Sequence, residues 1–188
     1  FLLACQGLRS TSLELSRPVF YRLFDEHGLP RAIRTDNGVP FATTALGRLG
    51  HRPAMPAVVA MLAADKEEDV YLRNAGVVAL TGIGDRAALV ALSTHASRGV
   101  RLAAVIALRR LQDTGVSRFL DDADPLVVNE AASAINDEGG IVAALPALAA
   151  VLERPNASGE PLLRRALSAN LRVGDAASVG RVSAFARR

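Results

Sequence analysis

Apolar and small residues recur through most of this chain at the spacing of a helix that buries one face. Leu72-Arg-Asn-Ala-Gly-Val-Val-Ala-Leu80 aligns with Val100-Arg-Leu-Ala-Ala-Val-Ile-Ala-Leu108, Val127-Val-Asn-Glu-Ala-Ala-Ser-Ala-Ile135 and Leu163-Arg-Arg-Ala-Leu-Ser-Ala-Asn-Leu171, with starts 28, 27 and 36 residues apart. The set follows the i, i+3, i+4, i+7, i+8 stripe of an amphipathic helix. A second, shorter helix is predicted after each, over 86–93, 115–120, 141–153 and 175–186. Between the pairs stand polar turns with a capping residue or a proline: Asp65 to Asp69, Ser97-Arg98-Gly99, Asp121 to Pro125 and Pro155 to Pro161. Ala75, Ala79, Ala103, Ala107, Ala131 and Ala134 are expected where helices approach closely, since a larger side chain would force them apart. On this register Ala104→Arg should matter less than Ala107→Arg.

The first fifty residues read differently. They hold five of the eight aromatic residues, Phe1, Phe20, Tyr21, Phe24 and Phe41. An extended run over 1–8 precedes a helix over about 14–27 carrying Leu15, Val19, Phe20, Leu23 and Phe24 at helical spacing. Gly28-Leu29-Pro30 stops that helix, and Arg31 to Arg34 reads as a short strand entering the turn Asp36-Asn37-Gly38. The break predicts two regions of different origin, 1–49 and 53–188.

Half of the 188 residues are hydrophobic and 4% are aromatic, so the core must be filled with Ala, Val and Leu, which favours close-packed helices. No run reaches about 18 apolar residues, and neither a membrane span nor a signal peptide is expected. The single cysteine, Cys5, excludes an intrachain disulfide and a cysteine-based zinc finger. The formal charge is +3, but Lys66 is the only lysine and the arginines are interspersed with acids. Such a surface fits a salt-bridged helical array better than a nucleic-acid-binding arm, and the expected partner is a protein whose identity the residues do not disclose.

The core "VR-x-A-A-x-x-A-L", best kept at 72–80 and 100–108, resembles short bacterial HEAT-like repeats. The resemblance covers about 53–188 in four copies. It implies an all-α fold, a right-handed α–α superhelix of the HEAT/armadillo-like solenoid type, with a partial α/β remnant at the N-terminus. More narrowly, "DPLVVNEAASAIND" (124–137) with "ALPALAAVL" after it resembles the HEAT-like segment beside the propeller of large bacterial membrane-bound dehydrogenases that carry a cytochrome c module. No CxxCH haem site and no propeller lie here, so that chemistry is not carried over. The implied role is non-catalytic protein–protein interaction or scaffolding without a cofactor.

The string "LFDEHGLPRAIRTDNGVPF" (23–41) resembles the centre of the DDE catalytic core of insertion-sequence transposases, relatives of retroviral integrases. In that family the Asp of "TDNG" is the second of three carboxylates that hold two divalent metals for strand transfer on DNA. That residue is Asp36, the one candidate catalytic and metal-binding position, with Mg as the implied ion. Two metals need several carboxylate oxygens. The family's first Asp would precede Phe1, and its Glu would lie roughly 35 residues past Asp36, where Leu72 stands. Glu67 and Glu68 belong to a polar turn. The expectation is therefore an inactive remnant, with metal-dependent strand transfer as the alternative if the missing carboxylates come from elsewhere.

Three further patterns carry less. Gly82-Ile83-Gly84-Asp85-Arg86-Ala87 matches GxGxxG/A in form, but no acid follows between Asp85 and Asp113 to hold a ribose, so a turn at a helix C-terminus is expected. His27, His51 and His95 have no paired metal-ligand spacing, and no GxSxG elbow supports a hydrolase. Arg73, Arg101 and Arg164 align, with Val128 in the third copy. They are expected to bond neighbouring turns and so fix stacking. The alternative is an arginine-lined solenoid that binds DNA phosphates.

Overall fold

The computed structural model describes residues 13–27, 39–65, 69–155 and 157–188, and the chain divides into two compact units, Phe1–Val39 and Pro40–Arg188. In the first unit, helix α1 spans Leu13–His27, close to the predicted bounds. Phe20 and Phe24, one turn apart, set their rings 6.0 Å apart in a tilted pair. The predicted extended run 1–8, the strand at 31–34 and the turn holding Asp36 lie outside the described residues, so the partial α/β character has no counterpart among those described.

The described residues are helical throughout, without a strand. Helices α2 (Val39–Arg48) and α3 (Met55–Ala64) precede four pairs. The pairs are α4 (Val70–Ile83) with α5 (Arg86–Ala91), and α6 (Arg98–Arg110) with the 3₁₀ segment Thr114–Asp121. Then come α7 (Pro125–Asn136) with α8 (Leu145–Ala149), and α9 (Glu160–Val173) with α10 (Ala176–Phe185). First helices touch in order, α4 to α6 to α7 to α9. The second elements follow the same order, α5 to 114–121 to α8, with α10 against Ala150–Glu153.

Local chemistry sets each boundary. The carboxylates of Asp69, Asp85, Asp113, Asp124 and Asp175 accept hydrogen bonds from main-chain N–H groups in the first turn that follows. At the other end the chain turns left-handed at Gly84, Gln112, Gly139 and Gly174, each just past a first helix. Gly84, offered as part of a dinucleotide fingerprint, is this C-terminal cap, and Asp85 caps the six-residue α5.

Burial shows which residues line the columns between first helices. All six singled-out alanines are buried. The four columns read Leu72, Val100, Val127, Leu162; Gly76, Ala104, Ala131, Ala166; Ala79, Ala107, Ala134, Ala169; and Leu80, Leu108, Ile135, Asn170, and all but the half-buried Leu72 are buried. Two expectations are thereby corrected. Ala104 has no exposed surface and is as enclosed as Ala107, so an arginine there is equally damaging. The fourth segment starts at Leu162, not Leu163, which leaves Leu171 78% exposed.

Helix α2, like α3, is an element that periodicity did not announce. Its end is a Schellman motif, with Gly50 N–H on the Gly47 carbonyl at 2.9 Å and His51 N–H on the Leu46 carbonyl at 3.3 Å. Gly47 lies against the backbone of Ala79, and Gly82 against the backbone of Gly47, so neither site leaves room for a Cβ. The Thr43 hydroxyl meets the Met61 sulfur at 3.2 Å. Helices α2, α3 and α4 thus share one core, within a unit that begins at Pro40.

Candidate functional site

Arg101, in the first turn of α6, shows what the arginine position does. Its Nε and Nη2 donate to the two carboxylate oxygens of Asp122 at 2.7 and 3.2 Å, and its Nη1 donates to the carbonyls of His95 and Ala96 at 2.8 and 3.1 Å. The Asp122 side chain is 3% exposed. One guanidinium thus clamps the turn before α6 to the turn before α7, in the fork geometry only arginine offers. Arg73 occupies the equivalent place in α4. Arg164 does not: it is exposed and pairs with Glu160 one turn away, while Leu163 holds the equivalent place. The predicted three-arginine column is two arginines, and the DNA-facing stripe loses its third member.

In the third pair that place is Val128, and a cleft of about 540 Å³ opens there, between the turns 120–125 and 154–158. Val128, Asn129 and Leu162 line it from the helices, with Asp121, Asp122 and Arg154 from the turns. Arg154 comes from the far wall, donating through Nη1 to the Leu120 carbonyl at 2.6 Å and pairing through Nη2 with Asp121 at 2.7 Å. The cleft therefore has apolar walls, both charge signs and a small net charge. Leu126, beside it at the start of α7, is 52% exposed.

The opposite edge, formed by the turns that follow the first helices, carries a second set of bridges. Arg86 Nη1 meets Asp113 at 2.8 Å, and Arg109 and Gln112 donate to the carbonyls of Glu138 and Gly139. Arg165 binds both oxygens of Asp137 at 2.9 and 2.8 Å. The Arg86 hydrogen bond lowers the Asp113 pKa, and the Arg165 hydrogen bond brings Asp137 down to about 2, with the Ser133 hydroxyl adding to it. The Arg86–Asp113 pair spans 27 residues, one structural period, and opposite charges at that spacing were its sequence signal. The Arg165–Asp137 pair spans 28, short of the interval from Val127 to Leu162, so the period did not announce it.

The described residues lining the cleft include no His, Cys or Lys. Among the described residues no three His, Cys, Asp or Glu side chains gather as a metal site. His95 Nδ1 accepts the Ser97 N–H at 3.1 Å, a turn-capping role. Asp36 lies outside the described residues, so nothing structural is added to its sequence reading. No helix among the described residues is long and apolar enough to cross a membrane. The class that the described residues define is an all-helical protein of paired helices. No protein-family profile, curated protein or solved structure matches the chain.

Proposed function

We propose that residues 53–188 are a HEAT-like array, a right-handed α–α solenoid, acting as a non-catalytic protein–protein interaction scaffold. The segment 1–49 is then an inactive transposase-core remnant. The observation that carries this reading is the recurrence, in four successive helix pairs, of one buried small-residue column and one left-handed turn. Recurring units of this kind present a continuous surface rather than a preorganised reacting group. The Val128 cleft, with the exposed Leu126 beside it, is the place where a partner would anchor: hot spots form where an apolar side chain enters a pocket rimmed by polar groups.

A photoreactive side chain placed at Leu126 tests this. Trapping of one partner that excess native chain displaces, with no trapping from Ala87 on α5, supports the scaffold. The alternative, DNA strand transfer through Asp36, predicts Mg-dependent nicking of DNA that Asp36→Asn abolishes. That result would replace the scaffold reading with an enzyme. An arginine-lined DNA-binding surface predicts instead an affinity for duplex DNA that falls steeply with salt.

A further inference from the structure

The fourth helix pair meets the third through a more polar core than the joints before it. In the last core column Leu80, Leu108 and Ile135 are fully buried, and the fourth member is Asn170, 1% exposed. Its Nδ2 donates to the carbonyls of Ala149 and Ala166 at 2.9 and 2.8 Å, but its Oδ1 has no hydrogen-bond partner. Helix α10 buries one residue, the polar Ser178. Across the joint, Asn129 Oδ1 on α7 is a second unpartnered atom. A buried polar atom left without a partner loses its hydration with nothing in return, so this joint returns less than an apolar one. Its fully buried apolar side chains from α9 are Leu162, Ala166 and Ala169, with Leu163, Leu167 and Val173 only partly buried against the core, and the Val128 cleft opens along its edge.

Arginines supply what the core does not. Arg165 forks onto Asp137, Arg172 Nη1 reaches the Asn136 carbonyl at 2.7 Å, and Arg181 Nε meets Glu153 at 2.6 Å. The two ion pairs stand partly in water, with the side chains of Asp137 and Glu153 34% and 60% exposed. Mobile ions screen such pairs, as they screen the exposed Arg86–Asp113 pair at the first joint, but the earlier joints also keep an apolar last column and the enclosed Arg101–Asp122 pair, which is shielded. Both helices of the last pair carry a latch arginine, Arg165 on α9 and Arg181 on α10, and the two helices pack on each other.

We propose that α9 and α10 form an electrostatically latched end unit, which opens from the third pair as one body under the control of ionic strength and uncovers the faces of α7 and α8 that it covers. The proposal is independent of the scaffold reading, since it concerns opening and names no partner.

Hydrogen exchange on the full chain tests it, at about 0.01 M and about 1 M NaCl, where the screening length falls from about 30 to about 3 Å. High salt should speed exchange roughly three- to tenfold through both 160–173 and 176–185, by the same factor, with 98–110 unchanged. Asp137→Asn should give the same pattern at low salt. Should that variant not fold, Glu153→Gln, at a more exposed carboxylate, takes its place. Salt-insensitive exchange in α9, fraying of α10 alone, or acceleration spread equally over α6 and α7 would each overturn the latch.

Discussion

Arg101 and Asp122 face each other across the turns that precede α6 and α7, joined by two parallel hydrogen bonds of 2.7 and 3.2 Å, with the carboxylate all but sealed from water. Because the pair is enclosed, its two halves are not independent. Arg101→Met should lower stability by about 3 kcal/mol, since it strands a buried carboxylate and unpairs the His95 and Ala96 carbonyls. Chemical denaturation of Arg101→Met, Asp122→Leu and the double variant measures the coupling. A double variant as unstable as the sum of the two singles would show that the clamp is not a unit.

Gln112 is the one described non-glycine residue with a positive φ, 54°, at the place where Gly84 and Gly174 stand in their own pairs. The left-handed backbone costs a side-chain-bearing residue about 1 kcal/mol. Its Nε2 partly offsets this by donating to the Arg109 and Gly139 carbonyls at 3.0 and 2.9 Å. Gln112→Gly is expected to be near neutral, and Gln112→Ala, which keeps the strain and loses both bonds, lower by ~1 kcal/mol. Thermal melts of the two variants give the difference directly.

Gly47 and Gly180 both lie within helices, yet alanine should act on them with opposite sign. At Gly47 a Cβ would run into the backbone of Ala79, which cannot rotate away, so Gly47→Ala should cost more than about 2 kcal/mol. At Gly180 nothing lies within 4 Å, and alanine should add roughly 0.5–1 kcal/mol through helix propensity. If Gly47→Ala melts like the native chain, α2 is not part of the core that α4 shares.

Ala104 and Ala107 are equally enclosed on α6. Arginine at either should prevent native packing, because a buried, unpaired cation adds to the overlap. Near-ultraviolet circular dichroism and exchange protection of 98–110 should collapse together in both variants. Native protection in Ala104→Arg would place that side chain at the surface.

The Asp137 carboxyl titrates near 2 in the folded chain against an ordinary 3.8, because the Arg165 fork and the Ser133 hydroxyl favour its charged form. A group whose pKa is lowered by folding stabilises the fold above its unfolded value and loses that contribution as pH falls through the folded value. Stability should therefore drop between about pH 4 and pH 2, by roughly 1 kcal/mol after allowing for solvent screening of a partly exposed pair. Asp137→Asn should flatten that part of the profile. An unchanged acid limb would mean that the pair contributes nothing.

What the residues determined by themselves was local. Apolar period, capping aspartates and turn glycines placed the helix pairs, because a helix states its own buried face in its own spacing. The column Ala79, Ala107, Ala134 was legible for the same reason, whereas Ala104, expected to matter less, is equally enclosed. Helix α2 was not legible, since Val39 to Arg48 opens on Val39-Pro40, carries the β-branched pair Thr43-Thr44 and has Gly47 next to its end, all poor helix signals, and its core contact runs through the Gly47 backbone. Nor was the register of the fourth segment. There Leu163, Leu167 and Leu171 make a more apolar stripe than Leu162, Ala166 and Ala169, and hydrophobicity alone prefers it. Tertiary structure chose the other stripe, because first helices that meet at Gly76, Ala104 and Ala131 approach too closely for a leucine at the next place in the column. The same limit decided the bridges and the cleft. Which acid Arg101 reaches, and the gap that Val128 leaves, depend on how near neighbouring pairs come in space, a quantity set by side-chain volume across the joint and absent from any single helix.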